Sequence, residues 1–218
     1  MRSSHKPRPS YDRRVTRILL VRHGQSEGNA GGIIQGRTDF GLTDLGHKQA
    51  RLTAGRLAGE GAVRILSSPL KRAWQTAEPI AAALGITVEP DPDLQEFDVG
   101  EVSGLTGPQA RERFPDLAKL WPHALPGAES RDAFHERIRA ALERMVAMDT
   151  TVVAVAHGGV VSGICYAVLG LDTSRRSLFE TANCAVSEIT ADRSGRLVLS
   201  RMNDTCHLEA LVTAADRG

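Results

Sequence analysis

The sequence predicts an α/β fold, a three-layer sandwich with a mostly parallel central sheet and helices on both faces. Apolar runs of strand length, such as 18–21 (ILLV) and 151–156 (TVVAVA), alternate along the chain with segments of helical periodicity. Continuously apolar runs are typical of strands that are covered on both faces. Strand–helix alternation then implies parallel pairing of the strands. The 218 residues contain no internal repeat and no linker, which favours one domain.

Two predicted strand–helix units open the domain. The strand at 18–21 precedes a glycine-rich loop and a helix for which Thr43 is the candidate cap. Residues 63–66 form the second predicted strand, and Ser68 is expected to cap the next helix with Pro69 at its first position. The first of these helices places its apolar stripe on Ala50, Ala54 and Leu57.

The middle of the chain is less regular. A short strand near 87–88 leads into an irregular segment, 90–107, which contains three glycines and two prolines. Residues 108–147 have a helical pattern that is interrupted by a Pro/Gly-rich stretch at 122–127.

The last part of the chain returns to strands. The strand at 151–156 is followed directly by a helix that Gly170 is expected to end. Two further strands, at about 184–190 and 196–202, are expected to form a hairpin around residues 192–195.

Composition and the chain ends limit the possible functions. A net charge of +1 argues against a nucleic-acid binder, and no apolar run approaches the roughly 18 residues of a membrane span. Three cysteines are too few for a disulfide framework, and residues 1–14 lack the apolar stretch of a secretory signal. We therefore expect a cytoplasmic protein with a disordered basic tail at 1–14, one domain over 15–210 and a frayed tail at 211–218.

Unusual polar residues follow three of the predicted strands. Arg22 and His23 follow the first strand, Arg72 lies just after the second, and His157 and Gly158 follow the TVVAVA strand. Because the carboxyl ends of parallel strands meet at one edge of a sheet, these groups are expected to converge there. Two histidines and two arginines that converge there form a site for an anion, to which helix N-termini add backbone N–H donors, and a phosphoryl group suits the planar, paired donors of arginine.

Such a pocket could also carry out chemistry. A neutral imidazole is a nucleophile that forms covalent intermediates, and guanidinium groups stabilise the charge of a phosphoryl transition state. The leaving oxygen needs a proton, for which Glu96 in the irregular segment is a candidate, with Glu101 and Asp98 as alternatives. The sequence has no magnesium-type carboxylate cluster and no P-loop, so no metal and no other cofactor is expected.

Several motifs together resemble the histidine phosphatase superfamily, which has the phosphoglycerate-mutase-like fold. They span about 17–208 in the family order. In sequence order they read LVRHGQSEGN at 20–29, QGRTD at 35–39, LTDLG at 42–46, SSPLKRAWQTA at 67–77, LQE at 94–96, PGAES at 126–130, AHGG at 156–159 and NCAV at 183–186.

The resemblance implies roles by position and a metal-independent reaction. His23 would be the nucleophile that becomes phosphohistidine, and Glu96 the proton donor that later activates water. The remaining residues with implied roles are Arg22, Arg72 and His157, which would hold the phosphoryl oxygens, Asn29 and the Gly158 backbone, which would assist, and Gln35 and Gly36, which match the loop that touches substrate.

Within the family we favour a phosphatase that acts on a small phosphorylated metabolite. The alternative is a 2,3-bisphosphoglycerate-dependent phosphoglycerate mutase, but such mutases usually read Glu-Arg-His-Tyr-Gly where this chain has Glu96-Phe97-Asp98-Val99-Gly100. The segment from Glu96 to His157 is also shorter than mutases use to exclude water. A second alternative is a non-catalytic phospho-ligand binder, against which the complete set of site residues argues. The substrate and the oligomeric state stay open, with a homodimer as one alternative.

Overall fold

The computed structural model describes residues 16–116, 125–173, 178–209 and 211. The strands within these residues are β1 (Thr16–Arg22), β2 (Arg64–Ser67), β3 (Val88–Pro90), β4 (Thr151–Ala156), β5 (Val186–Ala191) and β6 (Leu197–Asp204). The helices are α1 (Glu27–Ala30), α2 (Asp44–Leu57), α3 (Lys71–Leu84), α4 (Gly107–Arg113), α5 (Arg131–Val146) and α6 (Gly158–Leu169). Short 3-10 turns occupy Pro92–Leu94, Gly100–Val102 and Cys206–Leu208.

The strands form one sheet in the order β3-β2-β4-β1-β5-β6. The first four of these strands are parallel, and β5 and β6 pair as the antiparallel hairpin that the sequence predicts. The predicted α/β class with a mostly parallel central sheet is therefore confirmed. Within the part of the chain that the structure describes, no helix is long and apolar enough to cross a membrane.

Successive side chains of β1 enter different layers of the core. Leu19 and Val21 belong to a buried cluster with apolar residues of α2 and α3, whereas Ile18 and Leu20 belong to a second cluster with residues of α5 and α6. This alternation follows from the two-residue period of a strand. Because both faces of β1 are covered, its central residues 18–21 are continuously apolar, and each of these buried side chains contributes about 1.5–3 kcal/mol.

The predicted start of α3 is wrong. The helix begins at Lys71 rather than at Pro69, and its N-cap residue, Leu70, makes no side-chain capping bond. The Lys71 N–H instead donates to a carboxylate oxygen of Asp39 at 2.7 Å, so a distant loop supplies the cap. The Ser68 hydroxyl lies 2.8 Å from the Nε2 atom of His157 and is engaged there.

Other boundaries differ by a few residues. Helix α4 ends at Arg113, so the predicted helical pattern is already broken at 114–116; of the predicted interruption at 122–127, residues 122–124 lie outside the described residues. Thr43 caps α2 and Gly170 ends α6, as predicted. The predicted tail at 1–14 and residues 212–218 of the other tail also lie outside the described residues.

The start of α2 lies in very close contact with the loop after β1. An added Cβ atom at Gly46 would be 2.1 Å from the backbone oxygen of Gln25, a contact that real structures do not contain. The same loop is tied to α2 by the Thr43 N–H, which donates to the Gln25 oxygen at 2.9 Å. Gly46 therefore sets how closely α2 approaches the loop that follows the first strand.

We expect Gly46→Ala to lower the free energy of unfolding by about 2–3 kcal/mol, because the loop and the helix must move apart. Gly55→Ala is the matched control, since Gly55 lies on the exposed side of the same helix with no atom within 4 Å of an added Cβ. That change should stabilise the protein by about 0.5–1 kcal/mol through helix propensity. Urea unfolding measures both values, and similar effects at the two positions would contradict the close contact.

Candidate active site

Strand register brings three of the predicted groups to one edge of the sheet. In the parallel pair of β1 and β4, Arg22 lies opposite Ala156, so the next residues, His23 and His157, are neighbours. Their ring centroids are 5.1 Å apart. Strand β2 ends beside β4 in the same way, which places Ser68 against His157. The sheet therefore collects residues that are far apart in sequence at its carboxyl edge.

His23 is buried with a defined tautomer. Its Nδ1 atom lies 2.7 Å from the carbonyl oxygen of Gly24, and because a carbonyl only accepts, Nδ1 carries the proton. The lone pair of the neutral ring is then on Nε2. Burial and the positive charges of Arg72 and Arg22 hold the pKa of His23 well below its usual value. The imidazole is therefore neutral near pH 7.

His157 has a similar environment. Its Nε2 atom contacts the Ser68 hydroxyl, and its Nδ1 atom is buried with no hydrogen-bond partner among the described residues. Burial, followed by the charges of Arg72 and the neighbouring ring of His23, lowers the pKa of His157 well below its usual value. A neutral second imidazole therefore lies beside the first.

Two guanidinium groups flank the imidazoles. Arg72 is 1% exposed and donates to the carbonyl oxygens of Gly36 and Thr38, both at 2.8 Å. Arg22 donates to the carbonyl oxygen of Thr181. Burial lowers the pKa of Arg72 to about 10 and also lowers the pKa of Arg22, but a guanidinium is so strong a base that both remain cations at neutral pH. The Nε atoms of both arginines are buried and unpartnered within the described chain.

Glu96 is the carboxylate that the structure brings to this cluster. Its Oε1 atom accepts the Phe97 N–H at 2.9 Å, and Oε2 accepts the Gly159 N–H at 3.1 Å. An added Cβ at Gly159 would lie 2.3 Å from Oε1, so the close approach requires glycine at this first turn of α6. The alternatives lie elsewhere, since Glu101 pairs with Arg113 at 3.1 Å and Asp98 lies 3.9 Å from Arg37.

The four residues predicted to contact the substrate line the same region. Gly36 supplies a carbonyl to Arg72, and a Cβ at Gly158 would lie 3.7 Å from the Nε atom of Arg22. The side-chain oxygen of Asn29 accepts the Ser26 backbone N–H at 3.1 Å, and that of Gln35 accepts the Ser26 hydroxyl at 2.7 Å. Their oxygens thus build the loop, which leaves the amide NH2 groups as the donors for a ligand.

Four further residues shape the site without having been assigned a role from the sequence. Ser68 contacts His157, Thr76 accepts the Gly24 N–H at 3.0 Å, and Thr181 accepts from Arg22. Arg137 of α5 donates to three backbone carbonyls around Glu96. Ser68 and Thr76 fall within the SSPLKRAWQTA motif, which was a usable signal, whereas Thr181 and Arg137 had none.

A neutral nucleophilic nitrogen, one buried and one half-buried guanidinium, a helix N-terminus and one carboxylate together suit phosphoryl transfer. The sequence model of the histidine phosphatase superfamily (branch 1) matches residues 18–205. The chain therefore belongs to the histidine phosphatase superfamily. The expected enzyme class, a histidine-type phosphatase, is confirmed by this match and by the relatives that carry phosphatase names.

Similar proteins cover almost the whole domain. Phosphoserine phosphatase 1 of Hydrogenobacter thermophilus is 35% identical over 201 residues, which cover 89% of this chain and 95% of that protein. A probable phosphoglycerate mutase, GpmB of Photorhabdus laumondii, is 32% identical over 206 residues, with coverage of 89% and 96%. The native structure of a mycobacterial glucosyl-3-phosphoglycerate phosphatase superposes with a TM-score of 0.79 at 30% identity, covering 88% of this chain and 100% of that one.

The two buried imidazoles should make the ligand-free protein less stable in acid. Their pKa values are lower in the folded state than the ordinary 6.5. Below about pH 6.5 the unfolded chain therefore binds protons that the folded chain does not bind. The free energy of unfolding should therefore fall as the pH drops below about 6.5, by at most about 1.4 kcal/mol per pH unit for each histidine. Urea unfolding between pH 7.5 and 5 in phosphate-free buffer measures this slope.

Substitutions test whether the slope of unfolding free energy against pH comes from the histidines of the pocket. His23→Asn should make it shallower. Part of the slope will persist in any single variant, because burial also lowers the pKa of His135 and His207. An identical slope in the wild type and His23→Asn would contradict a neutral buried His23.

Proposed function

We propose that the chain is a metal-independent phosphomonoester hydrolase that acts on small phosphorylated metabolites through a phosphohistidine on His23. The observation that carries the proposal is the tautomer of His23, whose lone pair on Nε2 lies in a buried cluster with the cations Arg22 and Arg72. The unpartnered Nε atoms of these arginines and the Nδ1 atom of His157 are donors for the oxygens of a phosphoryl group.

The proposed reaction has two halves. In the first, the Nε2 lone pair of His23 forms a bond to phosphorus, the ester P–O bond breaks, and the leaving oxygen takes a proton from Glu96. In the second, Glu96 accepts a proton from water, whose oxygen attacks phosphorus while the P–N bond breaks. Inorganic phosphate leaves and His23 is again neutral. Arg22 and Arg72 stabilise the oxygens of both transition states.

Asn29, Gln35, Gly36 and Gly158 complete the proposed binding site. The amide NH2 groups of Asn29 and Gln35 are available because the oxygens of both side chains accept from Ser26. The backbone at Gly158 opens α6, where N–H groups and the helix dipole favour an anion.

The proposal also assigns one domain to residues 15–210 and a location in the cytoplasm. Two core clusters share the central sheet, which supports a single folding unit. Cys165, Cys184 and Cys206 are free thiols, which suits a reducing compartment.

Phosphorus NMR tests the reaction class directly. With EDTA present, incubation with phosphoserine, 3-phosphoglycerate or an aryl phosphate should produce inorganic phosphate from at least one ester. A parallel incubation contains 3-phosphoglycerate together with 2,3-bisphosphoglycerate. Formation of 2-phosphoglycerate that depends on the bisphosphate would instead establish the mutase, and loss of all hydrolysis on adding EDTA would contradict metal independence.

His23→Ala should lower kcat for every ester by about three orders of magnitude or more, because the nucleophile is lost. Rapid quenching of the wild-type protein during turnover of a substrate should trap phosphate bound to the protein, and this phosphate should be labile to acid and stable to base. His47→Ala is the control and should retain both turnover and trapping. Full turnover by His23→Ala would rule out the covalent route.

A further inference from the structure

The segment that carries Glu96 is held by a side chain from a different layer. Residues 91–99 contain one 3-10 turn and no strand; the Asp91 N–H donates to the Ser67 carbonyl at the end of β2, but the rest of the segment is not part of the sheet. Arg137, in the middle of α5, donates through one terminal nitrogen to the carbonyl oxygens of Asp93 and Gln95, both at 2.7 Å. Its other terminal nitrogen donates to the carbonyl of Glu96 at 3.1 Å. One guanidinium therefore gathers three carbonyls.

Glu129 fixes the direction of this guanidinium. Its two carboxylate oxygens accept from Nε and a terminal nitrogen of Arg137 at 2.7 and 2.9 Å, a paired geometry that allows little rotation. Both side chains are largely buried, with exposed fractions of 13% and 11%. Burial raises the pKa of Glu129, but the hydrogen bonds from Arg137 and the charge of Arg37 outweigh it and leave the pKa lowered.

A second guanidinium connects this arrangement to the predicted substrate loop. Arg37 lies 3.3 Å from Glu129, and its Nε atom is 3.4 Å from the Glu96 carbonyl oxygen. Arg37 directly follows Gly36, whose carbonyl holds Arg72.

We propose that Arg137 is a positioning residue that sets the location of the Glu96 carboxyl group for proton transfer to the leaving oxygen. This inference rests on the proposed function, in which Glu96 is the proton donor. Three carbonyl oxygens that converge on one point repel each other and need a cation between them. Without it the segment relaxes, and a displacement of about 1 Å in a reacting group can cost about 100-fold in rate.

A misplaced proton donor has a distinctive kinetic signature. An alkyl alcohol leaves slowly without a proton, whereas p-nitrophenolate leaves readily as an anion. The ratio kcat/KM reports the steps up to the first bond cleavage, which is the half-reaction in which the leaving oxygen needs its proton. Damage to the donor therefore lowers kcat/KM for alkyl phosphates far more than for p-nitrophenyl phosphate, while a general structural defect lowers both alike.

The experiment measures kcat/KM of the wild type and four variants with two substrates, an alkyl phosphate that the wild type hydrolyses and p-nitrophenyl phosphate. Glu96→Gln provides the profile of a lost donor. Arg137→Met is the test, and we expect kcat/KM to fall about 10- to 100-fold for the alkyl ester and less than about threefold for the aryl ester. Arg137→Lys should recover only part of the loss, because one ammonium cannot reach both Glu129 and the three carbonyls.

Arg144→Met is the matched control. Arg144 lies seven residues further along α5 and pairs with the carboxylates of Asp91 and Asp93, at 2.9 and 2.8 Å. Arg144 thus holds the beginning of the same segment through these carboxylates. None of its described hydrogen bonds goes to the carbonyl groups that Arg137 binds. We expect both esters to be hydrolysed by Arg144→Met with an unchanged ratio.

The possible outcomes separate the two proposals. If Glu96→Gln is selective between the esters and Arg137→Met is not, the positioning role is wrong and the proposed function stands. A selective loss in Arg144→Met equal to that in Arg137→Met would also overturn it. If Glu96→Gln affects both esters equally, the donor role of Glu96 fails and the positioning role fails with it. Should Arg137→Met not fold, Arg137→Lys is judged by the same ratio.

Discussion

The placement of two guanidinium cations, Arg72 buried and Arg22 half-buried, beside two buried imidazoles is the constraint on which the rest of the site depends. Moving a charged group out of water is costly unless polar partners replace the water. Here backbone carbonyls do so, from Gly36 and Thr38 for Arg72 and from Thr181 for Arg22. These residues must therefore lie in irregular loops, since carbonyls within a helix or a strand are already bonded. Carbonyls solvate the cations without neutralising them, and the site remains attractive to an anion.

Burial and the same charges determine the state of the two histidines. Burial disfavours a charged imidazole, and protonation of either ring would also add a third positive charge to the cluster, so both rings remain neutral. The parallel register of β1 and β4 then places them next to each other through one pair, Arg22 opposite Ala156. The sheet therefore sets the position of the two imidazole rings, and the electrostatics keep them neutral. The site needs both.

Much of this could be predicted from the sequence because the signals were local. The apolar run of β4, the Thr43 cap and the Gly170 end each reflect a preference of a few adjacent residues. The start of α3 could not be predicted in this way, because its capping group, Asp39, belongs to a distant loop. The role of Arg137 could not be predicted for the same reason, since the carbonyl groups that it binds lie about 40 residues away in sequence. An arginine on a helix normally faces water.

The hold on Arg72 has a consequence for redesign. Its carbonyl partners belong to the segment 35–38, which also contains Gln35 of the proposed substrate loop. In the proposed mechanism, recognition of the metabolite by Gln35 and binding of the phosphoryl group by Arg72 are therefore linked through the backbone of this segment. Randomising 35–38 to obtain a new specificity would also disturb Arg72 and slow turnover of every ester. Diversification of this enzyme is better directed at loops whose backbone supports no pocket cation, and natural divergence along this segment faces the same trade-off.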